Sequence, residues 1–180
     1  QGIYMIMYGI IYALLENDIR RILSYSIVNQ VGFMIVGIGI GTELSINGTA
    51  AHAFSHILYK GLLLMSAGSV IYMINKRKCT DVGGLYKTMP ITAICGIIGA
   101  LAISAFPLTS GFISKSMIVD ASINEGMELI WLMLLVGSAG VFLHAGIKFP
   151  WFVFFHRDKK IITTDPPVYV KYAMIVASSI

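Results

Sequence analysis

Apolar residues run through this chain in long blocks separated by short polar groups. Six blocks stand out, at residues 2–15, 22–40, 50–74, 91–119, 129–155 and 168–180. A helix needs about 20 apolar residues to cross a bilayer. The four middle blocks meet that length, and the first and last fall short of it. Glu16–Arg21 and the Gly41-Thr42-Glu43 turn bound the second block, and Pro90 opens the fourth. The pattern predicts an all-α, polytopic transmembrane helix bundle. It also predicts one broken helix. Pro107 lacks an amide donor, and its ring clashes with the carbonyl of Ile103. Gly111 follows, and Ser104, Thr109 and Ser110 are placed to bond the backbone groups that the break frees. Such a break is tolerated in a membrane only where protein or a water-filled cavity covers it.

Composition agrees with the pattern. Hydrophobic residues make up 57% of the chain and charged residues 12%, against about 25% charged in soluble domains. Mean hydropathy is +0.80. The net charge of +4 is small and unevenly placed, which argues for membrane orientation and against nucleic-acid binding. Arg20 and Arg21 lie in the first loop, Lys76, Arg77, Lys78 and Lys87 in the third, and Arg157, Lys159 and Lys160 in the fifth. The loops between them carry Glu43, then Asp120, Glu125 and Glu128. The basic loops fall on one alternating side, expected to be cytoplasmic. Lys171 can snorkel at the start of the last block. Of the two cysteines, Cys79 lies in a basic loop and Cys95 in an apolar block, so neither a disulfide nor a metal-ligand spacing is expected. Gln1 is not a start residue, and both ends of the chain lie inside apolar runs. Residues 1–180 therefore read as a single transmembrane stretch of a longer protein.

Three lysines remain unexplained by topology: Lys60, Lys115 and Lys148. A chargeable group inside a bilayer costs several kcal/mol unless something solvates it, so it marks a pathway by default. His52, His56 and Lys60 recur at every fourth residue, which sets them along roughly 12 Å of one helix face. Neutral imidazole donates at one nitrogen and accepts at the other, so such a row can relay a proton. Two other readings stand beside this one. The row could be interhelical glue. A His-x-x-x-His pair could also hold zinc, but the Glu of His-Glu-x-x-His and a third ligand are missing. Lys115 comes two turns after the Pro107 break, in the setting where transporters place ion sites; a plain kink with a snorkelling lysine is the alternative. His144 and Lys148 repeat the four-residue spacing nearer a basic loop, where Lys148 could simply snorkel. The run Phe149-Pro150-Trp151-Phe152-Val153-Phe154-Phe155 reads as an aromatic interface belt. None of the nine acidic residues lies within a block, so these lysines have no carboxylate partner in sight. No nucleotide, flavin, haem or iron–sulfur motif is present, and no cofactor is expected.

These motifs resemble a known family. Asn17-Asp18-Ile19-Arg20-Arg21-Ile22-Leu23-Ser24-Tyr25-Ser26, followed by Asn29-Gln30-Val31-Gly32-Phe33-Met34, resembles a helix junction in the antiporter-like subunits. That family spans respiratory complex I, membrane-bound hydrogenases and Mrp-type sodium/proton antiporters. His52-x-x-x-His56-x-x-x-Lys60-x-x-Leu63 resembles its next helix, Gly83-Gly84-Leu85 with Pro90 the loop after it, and Phe106-Pro107 with Gly111-Phe112-Ile113-Ser114-Lys115 its discontinuous helix. The likeness covers residues 10–120 well and the rest more loosely. It implies the second of two inverted repeats plus the helices that follow. It implies a proton route through His52, His56, Lys60 and Lys115, with Pro107 and Gly111 at the break and His144 and Lys148 as possible additions. The partners implied are other membrane subunits, the lipid bilayer, protons and Na⁺. The place implied is an integral membrane position, in a bacterium the inner (plasma) membrane. The run Lys148–Phe155 is most similar to the D-type Mrp subunit, while Ser114-Lys115 also occurs in the large distal subunit of complex I. A non-transporting scaffold subunit is the reading of another class.

Overall fold

The structure is a computed structural model, and it describes residues 1–179. Its main helices are α1 (Gly2–Leu15), α2 (Ile19–Ile40), α3 (Glu43–Ile74), α4 (Pro90–Ile103), α5 (Ser110–Asn124), α6 (Glu128–Phe155) and α7 (Val168–Ser179). Of these, α2, α3 and α6 are long and apolar enough to cross a membrane, and α1, α4 and α7 are shorter apolar helices. The protein is an all-α membrane helix bundle with one proline-broken helix, as the hydrophobic pattern predicts.

Local chemistry sets the helix ends. Asp18 accepts from the amides of Arg20 and Arg21 at 2.9 and 3.4 Å and starts α2, the ordinary work of an N-cap carboxylate. Gly41 ends α2 in the left-handed region at φ 78°, where a residue without Cβ meets no penalty. Thr42 Oγ1 then accepts from the amide of Ser45 at 3.2 Å and starts α3. The α2–α3 connection is thus only Gly41 and Thr42. It places α3 seven residues ahead of the apolar block at 50–74, because a good cap outweighs the polarity of Glu43 to Thr49. At 32 residues, α3 is about 48 Å long, more than a bilayer core requires.

The block at 91–119 divides into α4 and α5. The chain between them takes positive φ at Ala105 (56°) and Leu108 (72°), on either side of Pro107. Gly111 opens α5 against α4 so closely that a Cβ there would collide with the carbonyl of Ala102. α5 also outruns its apolar block, ending at Asn124 and so taking Asp120 into the helix.

α6 holds a feature that the hydrophobic pattern does not predict. Its turns at Phe142–Lys148 and Trp151–Phe155 are π-helical. The amide of Phe149 reaches back five residues to the carbonyl of His144, and that of His156 reaches Trp151 at 2.7 Å. Pro150 lies between the two turns. It cannot donate to Gly146 four residues back and would clash with that carbonyl, and a wider turn removes the conflict. The aromatic run here is split. Trp151 and Phe155 are exposed, but Phe149 and Phe154 are buried and pack edge-to-face at 6.2 Å, so half of the expected belt is core.

α1 and α2 approach through small residues. A Cβ at Gly9 would lie 2.7 Å from the carbonyl of Tyr25, and one at Gly32 would lie 2.8 Å from that of Gly2. Close backbone approach of this kind drives helix association where lipid removes the hydrophobic difference. α3 packs against α2, α4, α5 and α7, and the first π turn of α6 lies on α4. The three basic loops meet at one end. Asn17 and Asp18 pair with Lys78 and Cys79 through the Ile19–Arg77 and Cys79–Asn17 backbone bonds, each 2.9 Å. Lys87 bonds Asp158 at 3.1 Å. The Asp158 carboxyl is held below its usual range by the Lys160 amide and then by Lys87. Asp165 reaches across to cap α4, accepting from the amides of Ile91 and Thr92 and from the Thr92 hydroxyl.

Candidate functional site

The middle of α3 supplies the first part of the site. Its regular α-helical pitch puts His52, His56 and Lys60 on one buried face. The two imidazole rings lie 6.1 Å apart and nearly parallel, at 20°. Tyr59 meets the His56 ring edge-on at 5.4 Å. His52 Nε2, His56 Nε2, Tyr59 Oη and Lys60 Nζ are all buried with no hydrogen-bond partner among the described residues. An orphaned buried polar group costs about 1–3 kcal/mol. Four in one patch make this face a poor piece of packing and a suitable lining for polar contents.

The break supplies the second part. Lys115 is 2% exposed, and its Nζ donates to the carbonyl of Ile103 at 2.7 Å. That carbonyl is the one Pro107 leaves without its helical donor. The hydroxyls expected to serve it go elsewhere: Ser104 bonds the carbonyl of Ala100, and Thr109 that of Phe106. The ammonium of α5 therefore closes the gap in α4. It also lies 5.2 Å from the centre of the Phe33 ring, within cation–π range.

Ser114 joins the two parts. Its hydroxyl donates to the carbonyl of Ser110 at 3.1 Å and sits 3.1 Å from His52 Nδ1. With the hydroxyl proton committed to Ser110, His52 Nδ1 is the donor in that pair, which leaves a lone pair on Nε2. The first histidine of the row hydrogen-bonds the broken helix, while its lysine hydrogen-bonds none of the described residues. Lys115 lies within electrostatic range of His52, His56 and Lys60. Two cavities flank the break. One of about 260 Å³ is lined by Tyr59, Thr109, Ser110 and Ser178. The other, of about 380 Å³, is lined by Ser104, Lys115, Ser116, Asp120 and Ser138. Asp120, exposed on α5, lines the same second cleft as the buried Lys115.

His144 and Lys148 part company. His144 is fully buried, with Nδ1 2.8 Å from the carbonyl of Gly140 and Nε2 without a partner among the described residues. Lys148 leaves the interior. Its Nζ donates to the carbonyls of Ala13, Leu14 and Glu16 at 3.2, 2.7 and 2.5 Å. It thereby caps the C-terminus of α1, where a cation suits the helix dipole. Sequence reasoning missed Ser114, Tyr59 and Gln30. Ser114 carried a signal, because it precedes Lys115 on a helix that must pack against α3. Gln30 Oε1 and Ser26 Oγ, buried on α2 without a partner among the described residues, stood within the family-like motif but with no role attached to them.

The model of the NADH:quinone oxidoreductase/Mrp antiporter transmembrane family matches residues 1–142. The chain is 37% identical over 122 residues to NADH-ubiquinone oxidoreductase chain 5 of Dictyostelium citrinum, a match covering 67% of this chain and 18% of that protein. Among solved structures, a chain of the membrane-bound sulfane sulfur reductase, an archaeal respiratory membrane complex, superposes with a TM-score of 0.92 at 34% identity. That likeness covers 99% of this chain and 30% of the other. A chain of the Mrp complex from a Dietzia species superposes with a TM-score of 0.89 over 99% of this chain and 41% of that one; at 17% identity this likeness is one of fold. The chain spans about a fifth of the length of the curated relatives it matches.

Proposed function

The chain belongs to the NADH:quinone oxidoreductase/Mrp antiporter transmembrane family, and from that premise we propose that it is part of a proton-translocating, antiporter-like subunit. In this reading residues 1–180 are the second inverted repeat and the helices after it, and the subunit works inside a multisubunit membrane complex. Protons pass between Lys60 and Lys115 by way of His56 and His52. The basic loops face the cytoplasm.

One observation carries the reading. A row of buried, unpartnered titratable groups on an unbroken helix meets, through the His52–Ser114 contact, a lysine that plugs a proline-broken helix. Each group can take and release a proton without moving the backbone. Lys60 hands a proton along the two imidazoles; His52 takes and gives it at Nε2, while its Nδ1 contact with Ser114 holds the ring beside the element that carries Lys115. When Lys115 gives its proton to the cleft at Ser116 and Asp120, it still hydrogen-bonds Ile103 as a neutral amine but loses the charge assistance that makes that bond strong. Release of the proton therefore loosens the break, and its return tightens it.

Two settings fit this chemistry. The Lys148–Phe155 run favours the D-type subunit of an Mrp antiporter, where the proton flux exchanges with Na⁺. The likeness to chain 5 favours a respiratory complex, where electron transfer in other subunits drives the flux. Partners that copurify with the full-length subunit separate them: small membrane subunits alone indicate the antiporter, and NADH- or quinone-reactive subunits indicate the respiratory complex. The proton role itself is tested by Lys60→Ala and Lys115→Ala in the full assembly, reconstituted in proteoliposomes. We expect proton flux to fall about a hundredfold or more in each, the scale of a lost acid–base group. Wild-type flux in both variants, with the assembly intact, would leave a scaffold whose polar residues only hold helices together.

A further inference from the structure

We propose that His144 is a further proton-holding station, coupled to Lys60 from the π-helical turn of α6 and extending the polar interior beyond the α3 row toward the basic end of the bundle. The inference rests on the proton-route reading above and deepens it.

The backbone provides the first argument. His144 lies at the start of a seven-residue π-helical segment, Phe142–Lys148, which Pro150 and Gly146 account for. The wider turn separates the fates of two side chains that an α-helix would keep on one face. His144 stays fully buried, while Lys148 reaches the end of α1. The turn also packs on the end of α4. A Cβ on Gly146 would lie 2.5 Å from Ser104 Oγ, at the lip of the break.

Hydrogen bonding provides the second. A carbonyl only accepts, so the 2.8 Å contact with Gly140 fixes the imidazole proton on Nδ1. The neutral ring then presents a bare lone pair at Nε2, and this atom is buried without a partner. A proton can arrive and leave only there, because passing it through Nδ1 would deliver it to a peptide carbonyl. The group is therefore a station and not a through-wire. It becomes an imidazolium when Nε2 takes a proton and returns to neutral when the same nitrogen gives it up.

Position provides the third. Lys60, Lys115 and Lys148 all lie within electrostatic range of His144. Counted from the ends of their helices at the basic side, His144 lies 11 residues into α6, Lys60 14 residues into α3 and Gln30 11 residues into α2. Gln30 Oε1 at this level, and Ser26 Oγ about a turn closer to the basic end, are the remaining buried orphan oxygens among the described residues. Buried polar atoms without protein partners are ordinarily served by internal water making 2–4 hydrogen bonds. On this proposal, internal water at this level of the bundle passes the proton between Lys60 Nζ and His144 Nε2.

The test uses the full-length subunit in its complete assembly, with proton uptake into proteoliposomes driven by an imposed membrane potential. His144→Ala and His144→Gln are compared with Lys60→Ala, with and without added imidazole. We expect flux to fall roughly tenfold or more in both His144 variants, with imidazole restoring His144→Ala and leaving Lys60→Ala unchanged. The glutamine side chain can still donate to Gly140 but cannot hold a proton. Wild-type flux in His144→Gln therefore overturns the inference and reduces His144 to a positioning residue, and wild-type flux in His144→Ala overturns it outright. In either case a dead Lys60→Ala leaves the α3 route standing. Wild-type flux in Lys60→Ala as well removes the route itself, and this inference with it.

Discussion

His56–Lys60 on α3 and His144–Lys148 on α6 are the same pattern in sequence: a histidine, three residues, and a lysine inside a long apolar run. The fold gives them opposite outcomes. On α3 the regular helix keeps both side chains on one interior face, and Lys60 Nζ finds no partner among the described residues. On α6 the π turn sends the lysine to three carbonyls at the end of α1, and only the histidine stays inside. Spacing alone therefore does not locate a charge. What decides is the register of backbone hydrogen bonds under the side chain, and whether a neighbouring helix end offers unused acceptors. One lysine is held by the fold, and the other is tolerated by it.

That contrast is open to attack through stability, because the two lysines should act with opposite sign. The largest effect is expected for Lys148→Met. It strips a cation from three carbonyls of α1, and bonds to a charged donor are worth about 1.5–3 kcal/mol, so we expect a loss of about 2–3 kcal/mol in the unfolding free energy of the detergent-solubilised assembly. Proton flux per assembled complex should stay near wild type. Lys60→Met comes next and points the other way. Replacing a buried, unpartnered amine by an apolar chain of similar length should raise stability by about 1–2 kcal/mol, while flux collapses. A stabilising Lys148→Met, or a Lys60→Met that unfolds the protein, would erase the distinction between the two sites.

The break and several helix ends were legible in the chain because their causes are local, although α3 starts seven residues ahead of its apolar block and α5 runs past its own to Asn124. Asp18, the Gly41-Thr42 pair, Pro90 and Pro107 each act on the backbone within four residues, so a reader of the sequence sees cause and effect together. The face of α3 was legible for the same reason: a four-residue spacing and a regular helix imply it. Contacts across the chain were not legible. His52 meets Ser114 across 62 residues, and Lys148 meets Glu16 across 132. Lys115 is the instructive middle case. The carbonyl that Pro107 frees could be read directly, but its partner could not, since nearby hydroxyls looked better placed than a lysine twelve residues on. The π turns could have been suspected from Gly146 and Pro150 at four-residue spacing. Hydrophobicity hid them, because a wider turn inside an apolar helix leaves the apolar pattern intact.

A smaller effect sharpens the idea that charged side chains from elsewhere finish helix ends in this bundle. Asp165 does for the start of α4 what Lys148 does for the end of α1. It accepts from two amides and a hydroxyl more than seventy residues away, where Met89 offers no side-chain cap of its own. Asp165→Ala should cost about 1 kcal/mol, the usual worth of an N-cap. If Lys148→Met costs no more than this, the three-carbonyl contact is only one more cap, and its charge adds nothing.

The smallest effect is a pH dependence that should exist at the α1 end and leave the α3 row untouched. Glu16, whose carbonyl receives Lys148, has its carboxylate held below the ordinary 4.5 by the Asp18 amide first, then by the Asn17 amide, with Arg21 assisting. A depressed carboxyl stabilises the folded state above its unfolded value, and that contribution is lost as pH falls through the lower folded value. Wild type and Glu16→Gln should therefore differ in melting temperature by a constant amount above pH 4.5 and converge below it. Combined with Lys148→Met, the same titration reports coupling between the carboxylate and the ammonium that shares its residue, and the gap should narrow. In a Lys60→Met background the two curves should keep their full separation. If they narrow there as well, the two lysines belong to one electrostatic network and do not have the separate fates described above.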